Sequence, residues 1–430
     1  MTPNDWLSRE SRFGERGQVS EAGGQGRSPF ALYESPAPQG APCLDLDPFS
    51  LEVLAEPYDA HRLLRDAGPF VWLTTYGVGA VARYAEVRQV LLDWEVFSSA
   101  RGVGMEDFDR HGRFRLPSLI LEADPPQHSR SRAVLNRALS PAVVRSLRQR
   151  FSLAAEDLVD ELLARGTFDA IRDLSVAYPL SVFPDAIGIG EEGREYLLPH
   201  ADLLFNSFGP RNELFQTSLP GANFDWVEAQ GRRERLAPDG IGMSIHAAAD
   251  AGEITSQEAS KLVRALLQAG VDTTVSAIGA AIYCLARFPE QWTKLRRNPD
   301  LASAAFDEAI RFESPVQTFF RTTSRETEIG GVALDEGRKV LMFLGSANRD
   351  PRQWRRPDVF DIERRAFGHV GFGAGIHLCV GQLLARLEGE AVLRALATKA
   401  ATLEVAGDVR RHYNNTLRGL ASLPVAIRGA

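Results

Sequence analysis

One short window constrains this chain more than any other: Phe372-Gly373-Ala374-Gly375-Ile376-His377-Leu378-Cys379-Val380-Gly381, followed by Gln382-Leu383-Leu384-Ala385-Arg386-Leu387, which reads as a helix. A cysteine closing a glycine-bearing loop just ahead of a helix sits among unpaired backbone N–H groups at the positive end of the helix dipole. That setting favours thiolate over thiol. Gly373 and Gly375 let the backbone pass close to a flat ligand where side chains would collide, and Gly381 lets the helix lie against the same surface. The chain has three cysteines, Cys43, Cys284 and Cys379, odd in number and far apart. Each thiol is therefore read singly, and the expected compartment is reducing. Nothing comparable surrounds Cys43 or Cys284, which read as ordinary small residues.

A chain of 430 residues, 44% hydrophobic and 24% charged, buries enough surface to hold a large internal cavity without disulfides. Its net charge of −7 argues against a nucleic-acid partner. No N-terminal apolar run resembles a signal peptide. The most apolar segment, Leu262 to Phe288, is broken by Arg264, Asp272 and Arg287, as in a buried helix. No membrane partner is expected, and the cytoplasm is the default location. Residues 1–42, rich in Gly, Ser, Pro, Arg and Glu, read as a disordered tail, and 43–430 as one domain. Periodicity predicts helices over Ala85–Asp93, Gln127–Ala138, Pro141–Arg165, Gly193–Phe208, Ser256–Arg287, Pro289–Asn298 and Leu301–Phe312. Gly68–Arg83 suggests a hairpin, with further strands near Glu328–Leu344 and Thr416–Ile427. The fold class is mainly α with small β-sheets, without the βα alternation of a doubly wound fold.

The pattern Phe-Gly-x-Gly-x-His-x-Cys-x-Gly, matched without a gap, resembles the haem-binding signature of the cytochrome P-450 family. The resemblance implies the single-domain cytochrome P-450 fold and haem b, with Cys379 as the metal ligand and Phe372, Gly373, His377 and Gly381 beside it. Thiolate donation to the iron then favours dioxygen cleavage. Glu308 and Arg311 lie three apart on one face of a predicted helix. An isolated pair of this kind is worth little, but with Arg364 it resembles the family's structural lock behind the cysteine. His128, Arg132, Arg321 and His377 stand where the family binds the haem propionates, a task suited to Arg.

Ala269-Gly270-Val271-Asp272-Thr273-Thr274, in the middle of the long apolar helix, resembles the family's oxygen-binding kink. Ala269 and Gly270 leave room over the iron, Thr273 supplies an alcohol to the activated oxygen, and Asp272 belongs to the proton relay. This acid–alcohol pair implies dioxygen activation with two electrons and two protons. No flavin or iron–sulfur domain is fused to the chain, so the electrons are expected from an iron–sulfur ferredoxin with its NAD(P)H-dependent flavin reductase. Arg364 and Arg365 precede the cysteine loop and suggest a positive face for an acidic ferredoxin.

Stretches from about Leu44 to Val425 are similar to the para-substituted benzoate monooxygenases within that family, the 4-methoxybenzoate O-demethylase type. Pro117–Pro126, Tyr178–Ala186, Phe205–Pro210, Glu313–Thr322 and Asn414–Gly419 carry the similarity. It implies that Arg115 and Ser118 bind a small aromatic carboxylic acid by its carboxylate. Leu121, Phe205, Phe208, Ala269, Val316 and Phe319 would then form an apolar slot for the ring. One position departs: the subgroup's carboxylate-contacting serine is Ala265 here. The alternatives are the same chemistry on another small aromatic or terpenoid, or a haem-thiolate binding or sensor protein that never turns over.

Overall fold

The computed structural model describes residues 30–113 and 115–429. The first 29 residues of the expected tail lie outside these. Residues 30–42, its remainder, lie along the body instead. Tyr33 is buried and donates its hydroxyl to Met105 O at 2.8 Å, and Arg338 Nη1 bonds Pro36 O at 3.0 Å. An aromatic ring worth burying overrides a loop-like composition.

Local chemistry sets the main helices. Ser140 caps the helix Pro141–Arg165, with proline at its first turn and Gly166 in a positive-φ cap at its end. Thr255 and Glu258 form a reciprocal capping box at the start of Ser256–Gly270. Phe288 separates Asp272–Arg287 from Pro289–Arg297, as the proline requires. The expected continuous helix over 256–287 is two helices: Val271 leaves the ladder at φ −91°, ψ −64°. The cause is local, because Thr273 Oγ1 bonds Ala269 O at 2.6 Å and Thr274 Oγ1 bonds Gly270 O at 2.9 Å. Gly270 packs so tightly on Phe183 that a Cβ would meet its ring at 2.3 Å.

This broken helix crosses the largest apolar core, where Ala302–Glu313 and Gln382–Lys399 pack on it and Pro141–Arg165 packs in turn on Gln382–Lys399. It is also the one helix of a length and apolarity sufficient to span a membrane among the described residues, and 67% of its most apolar window is buried inside the protein. The predicted hairpin is present as Val71–Leu73 and Val78–Val81. It continues through Lys339–Phe343 to Thr318–Thr323 in a six-stranded sheet at one side of the body. Two elements escape periodicity: the π-turn Ile171–Val176 and the helix Ala177–Ile187, which contains Pro184. Both are mostly buried, with only Arg172, Ser181 and Asp185 exposed, so the polar face that pattern reading needs is narrow.

Candidate active site

Between the broken helix and the cysteine loop lies a cavity of about 250 Å³. The loop reaches it because Gly373 and Gly375 take φ of 73° and 68°, and a Cβ on Gly375 would stand 2.7 Å from Leu91 O. Cys379 N donates to Phe372 O at 2.8 Å, closing the loop and turning the sulfur into the cavity. The N–H groups of Gly381 and Gln382 point at the sulfur, and Arg132 and Arg386 act on it as cations. All four favour the thiolate; the N–H groups were expected from the sequence, the two arginines were not. Burial nevertheless outweighs them and pushes the free thiol up. A bound metal reverses that balance, because coordination deprotonates a thiol outright.

Beside the sulfur, one edge of the cavity collects four nitrogen-bearing side chains. Arg321 is buried, held at its Nη1 by Phe320 O, and burial lowers it to about 10. Arg132 Nη1 bonds the carbonyls of Ile376 and Leu378. The rings of His128 and His377 lie 4.5 Å apart, and Nε2 of each is buried without a hydrogen-bond partner. Burial, His377 and Arg132 together push His128 down to about 4. Asp124 is the nearby acid, 3.9 Å from His377 and bonded to Ser98 at 2.5 Å. Orphaned donors beside two guanidiniums make a poor protein interior and a good receptor for two carboxylates. The four residues expected to hold propionates therefore fit a haem.

Behind the loop, Arg311 grips Glu308 with Nε and Nη2 at 2.7 and 2.8 Å. Its Nη1 bonds Asn348 O and Pro357 O at 2.8 and 3.0 Å. Arg364 Nε reaches the same carboxylate at 3.0 Å and binds the carbonyls of Arg355, Arg356 and Val359. Glu308, Arg311 and Arg364, the lock that the resemblance implied, thus form one hydrogen-bonded cluster. It also consumes Arg364, which leaves only Arg365 of the proposed basic pair exposed.

On the opposite wall Ala269, Gly270 and Thr273 line the cavity. Asp272 does not: it turns into the protein at 4% exposure with Oδ2 unpartnered. Burial, then the charge of Asp202, raise it to about 7 against the pull of His412. Leu121, Phe205, Phe208, Val316 and Phe319 all line the cavity, with Phe208 edged against Phe205 and tilted against Phe319 at 5.6 Å each.

The polar end differs from the expectation of an open arginine. Arg115 lines the cavity over the face of Phe208, but Glu122 takes both its terminal nitrogens at 2.6 and 2.5 Å. Ser118 also lines the cavity, with its N–H on the same carboxylate and its hydroxyl oxygen accepting from Ile120 and Leu121 N–H. Ala265 faces the same space, as does Gln268, whose amide sits 2.9 Å from His200 Nε2. Glu122, Gln268 and His200 were not found from sequence. An acid seven residues after Arg115 was the visible signal for the first, and nothing local flags the other two.

A mainly helical body, an apolar cavity and a cysteine sulfur facing into it and met by backbone N–H groups define a haem-thiolate protein. The comparisons agree. The cytochrome P450 family model matches residues 229–398. Cytochrome P450 CYP199A2 of Rhodopseudomonas palustris is 58% identical over 394 residues, covering 91% of this chain and 96% of the relative. The structure of cytochrome P450 CYP109Q5 from Chondromyces apiculatus is 32% identical with a TM-score of 0.76, over 90% of this chain and 99% of that one. Cytochrome P450 CREJ, 27% identical, superposes with a TM-score of 0.79 over 89% and 99%. This chain belongs to the cytochrome P450 family. It is a monooxygenase that uses haem b with a cysteine thiolate as axial ligand, dioxygen and a redox partner.

Proposed function

We propose that this monooxygenase oxidises para-substituted benzoic acids, O-demethylating 4-methoxybenzoate to 4-hydroxybenzoate and formaldehyde, in the cytoplasm and with electrons from a ferredoxin. The observation that carries this reading is the two-ended cavity: an apolar slot of Phe205, Phe208, Val316 and Phe319 beside the cysteine wall, closed at one end by Arg115 and Ser118. CREJ, of the same fold, was captured with (4-ethylphenyl) dihydrogen phosphate, a para-substituted ring with an anionic head.

Haem, held by Cys379 and by His128, Arg132, Arg321 and His377, supplies reductive dioxygen activation and transfer of one oxygen atom to a substrate C–H bond. The chain does the rest. The N–H groups of Gly381 and Gln382 temper the sulfur's electron donation. Ser118 and the free N–H bonds of Arg115 hold the carboxylate, and the phenylalanines fix the ring so that its para group meets the iron side. Thr273 Oγ1, whose own proton goes to Ala269 O, accepts a hydrogen bond on the oxygen side, and Asp272, raised to about 7, is the proton source at physiological pH. A Thr273→Ala variant is expected to keep consuming dioxygen while product falls on the order of 10²-fold, the low end for a positioned proton-transfer group. Product and dioxygen measured together check this, and unchanged coupling would remove Thr273 from the pathway.

The reading is tested by optical titration of the ferric protein with 4-methoxybenzoate. A shift of the Soret band to the high-spin position is expected, and its absence sinks the substrate. Ala265→Ser restores one donor, worth about 0.5–1.5 kcal/mol, so Kd is expected to tighten by roughly two- to tenfold. One observation favours a second reading: the Arg115–Glu122 pair has no net charge, which suits a neutral aromatic or terpenoid ligand. Titration with 4-methoxybenzamide separates the two, because the second reading requires the amide to bind as tightly as the acid.

A further inference from the structure

Asp272 must regain a proton after each one it gives, yet it is buried, with Oδ2 left without a hydrogen-bond partner. Two ionisable groups on other elements act on it, and they are bonded to each other. Asp202, on the helix Leu197–Asn206, receives His412 Nε2 on its Oδ1 at 2.8 Å. Asn414 Nδ2 and Asn206 Nδ2 converge on the same oxygen at 2.9 and 3.3 Å. Three donors on Oδ1 leave Oδ2 of Asp202 available to a second carboxyl.

The backbone brings this pair to the right face. His412 lies opposite Gly419 in the hairpin of Arg410–Tyr413 and Arg418–Ser422. Gly419 in turn sits on the broken helix: a Cβ there would stand 3.1 Å from Ser276 Oγ and 3.9 Å from His412 Cβ. Ser276 is one helical turn from Asp272, on the same face. Exposure climbs outward as well: Asp272 and Asp202 are 4% and 8% exposed as whole residues, and the side chains of Asp202 and His412 are 11% and 20% exposed.

We propose that the Asp202–His412 pair is the proton entrance of this enzyme, a positioning pair that reloads Asp272 from solvent. The proposal rests on the role given above to Asp272 and Thr273, and not on the identity of the substrate. Each turnover consumes one dioxygen, two electrons and two protons, placing one oxygen atom in product and one in water. Each proton charges His412, passes from Nε2 to Asp202 Oδ1, and leaves Asp202 for Asp272, which restores the neutral imidazole and the carboxylate. An imidazole, which can take a proton on one nitrogen and give one from the other, is suited to passing protons in from the surface. The ordering of charges supports transfer inward: Asp202 raises Asp272 and His412 lowers it, so the acceptor's value follows the state of the pair.

The test uses the haem-loaded enzyme, a surrogate ferredoxin system and whichever ligand of an aromatic panel gives the high-spin shift. Asp202→Asn and His412→Gln are compared with the parent. Retention of the ferrous carbonyl band and of the spin shift shows that each is intact. If Asp202→Asn loses them, His412→Gln, a surface change, decides alone. Product formation is expected to fall at least about tenfold in both, with an increased solvent deuterium isotope effect. The alkaline limb of the rate is expected to move down in Asp202→Asn, which loses the charge that raises Asp272, and up in His412→Gln, which loses the opposing cation. Parent-like rates and isotope effects would overturn the proposal, as would limbs that move together. A parent that turns over no ligand of the panel would instead overturn the proposed function.

Discussion

A Cys379→Ala variant is expected to fold, to lose the red-shifted ferrous carbonyl band and to lose all dioxygen-dependent product. Folding survives because the cysteine's structural bond is made by its backbone: Cys379 N donates to Phe372 O at 2.8 Å whatever the side chain. The glycines at positive φ that shape the loop are also untouched. Only the sulfur is missing, and with it the single anionic ligand that the cavity offers to the iron. Arg132, Arg321, His128 and His377 can still hold carboxylates, so some haem remains bound without thiolate character. Far-ultraviolet circular dichroism and the carbonyl spectrum on one sample check both halves. A retained red-shifted band would show that another residue holds the iron.

The second large effect is expected at Arg311, far from any substrate. Its side chain is fully buried and Glu308 is 1% exposed, so removing the guanidinium takes a partner from a buried carboxylate and from three carbonyl oxygens. Breaking a buried pair of this kind costs roughly 3–5 kcal/mol. Arg364 and the Asp361 N–H still serve Glu308, which places Arg311→Leu toward the lower figure. Arg311→Lys should recover little, because a point charge cannot make the forked contact. Urea unfolding of the haem-loaded protein measures the loss, and a change below about 1 kcal/mol would mean the surrounding packing carries the load.

These two sites were also the most legible ones in the sequence. A cysteine loop with its glycines, a Glu-x-x-Arg pair and a threonine-bearing kink are each written in a few adjacent residues. Their geometry follows from short-range chemistry, as the Thr273 and Thr274 bonds to the preceding turn illustrate. What sequence concealed was the identity of charge partners. Arg115 looks like an open anion site until the turn at Ser118 brings Glu122 back onto it. Gln268 and His200 meet only because two helices cross, and Asp202 finds His412 across 210 residues. The helix Ala177–Ile187 was hidden for a different reason, since a segment exposed only at Ser181 and Asp185 carries a weak amphipathic period.

The lock behind the cysteine has one more consequence. Residues 348–374 contain neither helix nor strand, yet they must hold the sulfur loop steady. Their shape is stored in two guanidiniums that gather carbonyl oxygens from Asn348 to Val359. A helix resists change along its whole packed face, whereas a segment wound on two buried hubs resists it mainly at those hubs. The exposed side chains of Arg355, Arg365 and Phe367 hang from this scaffold without supporting it. Evolution can therefore rewrite this outer face one residue at a time while the sulfur loop stays where it is.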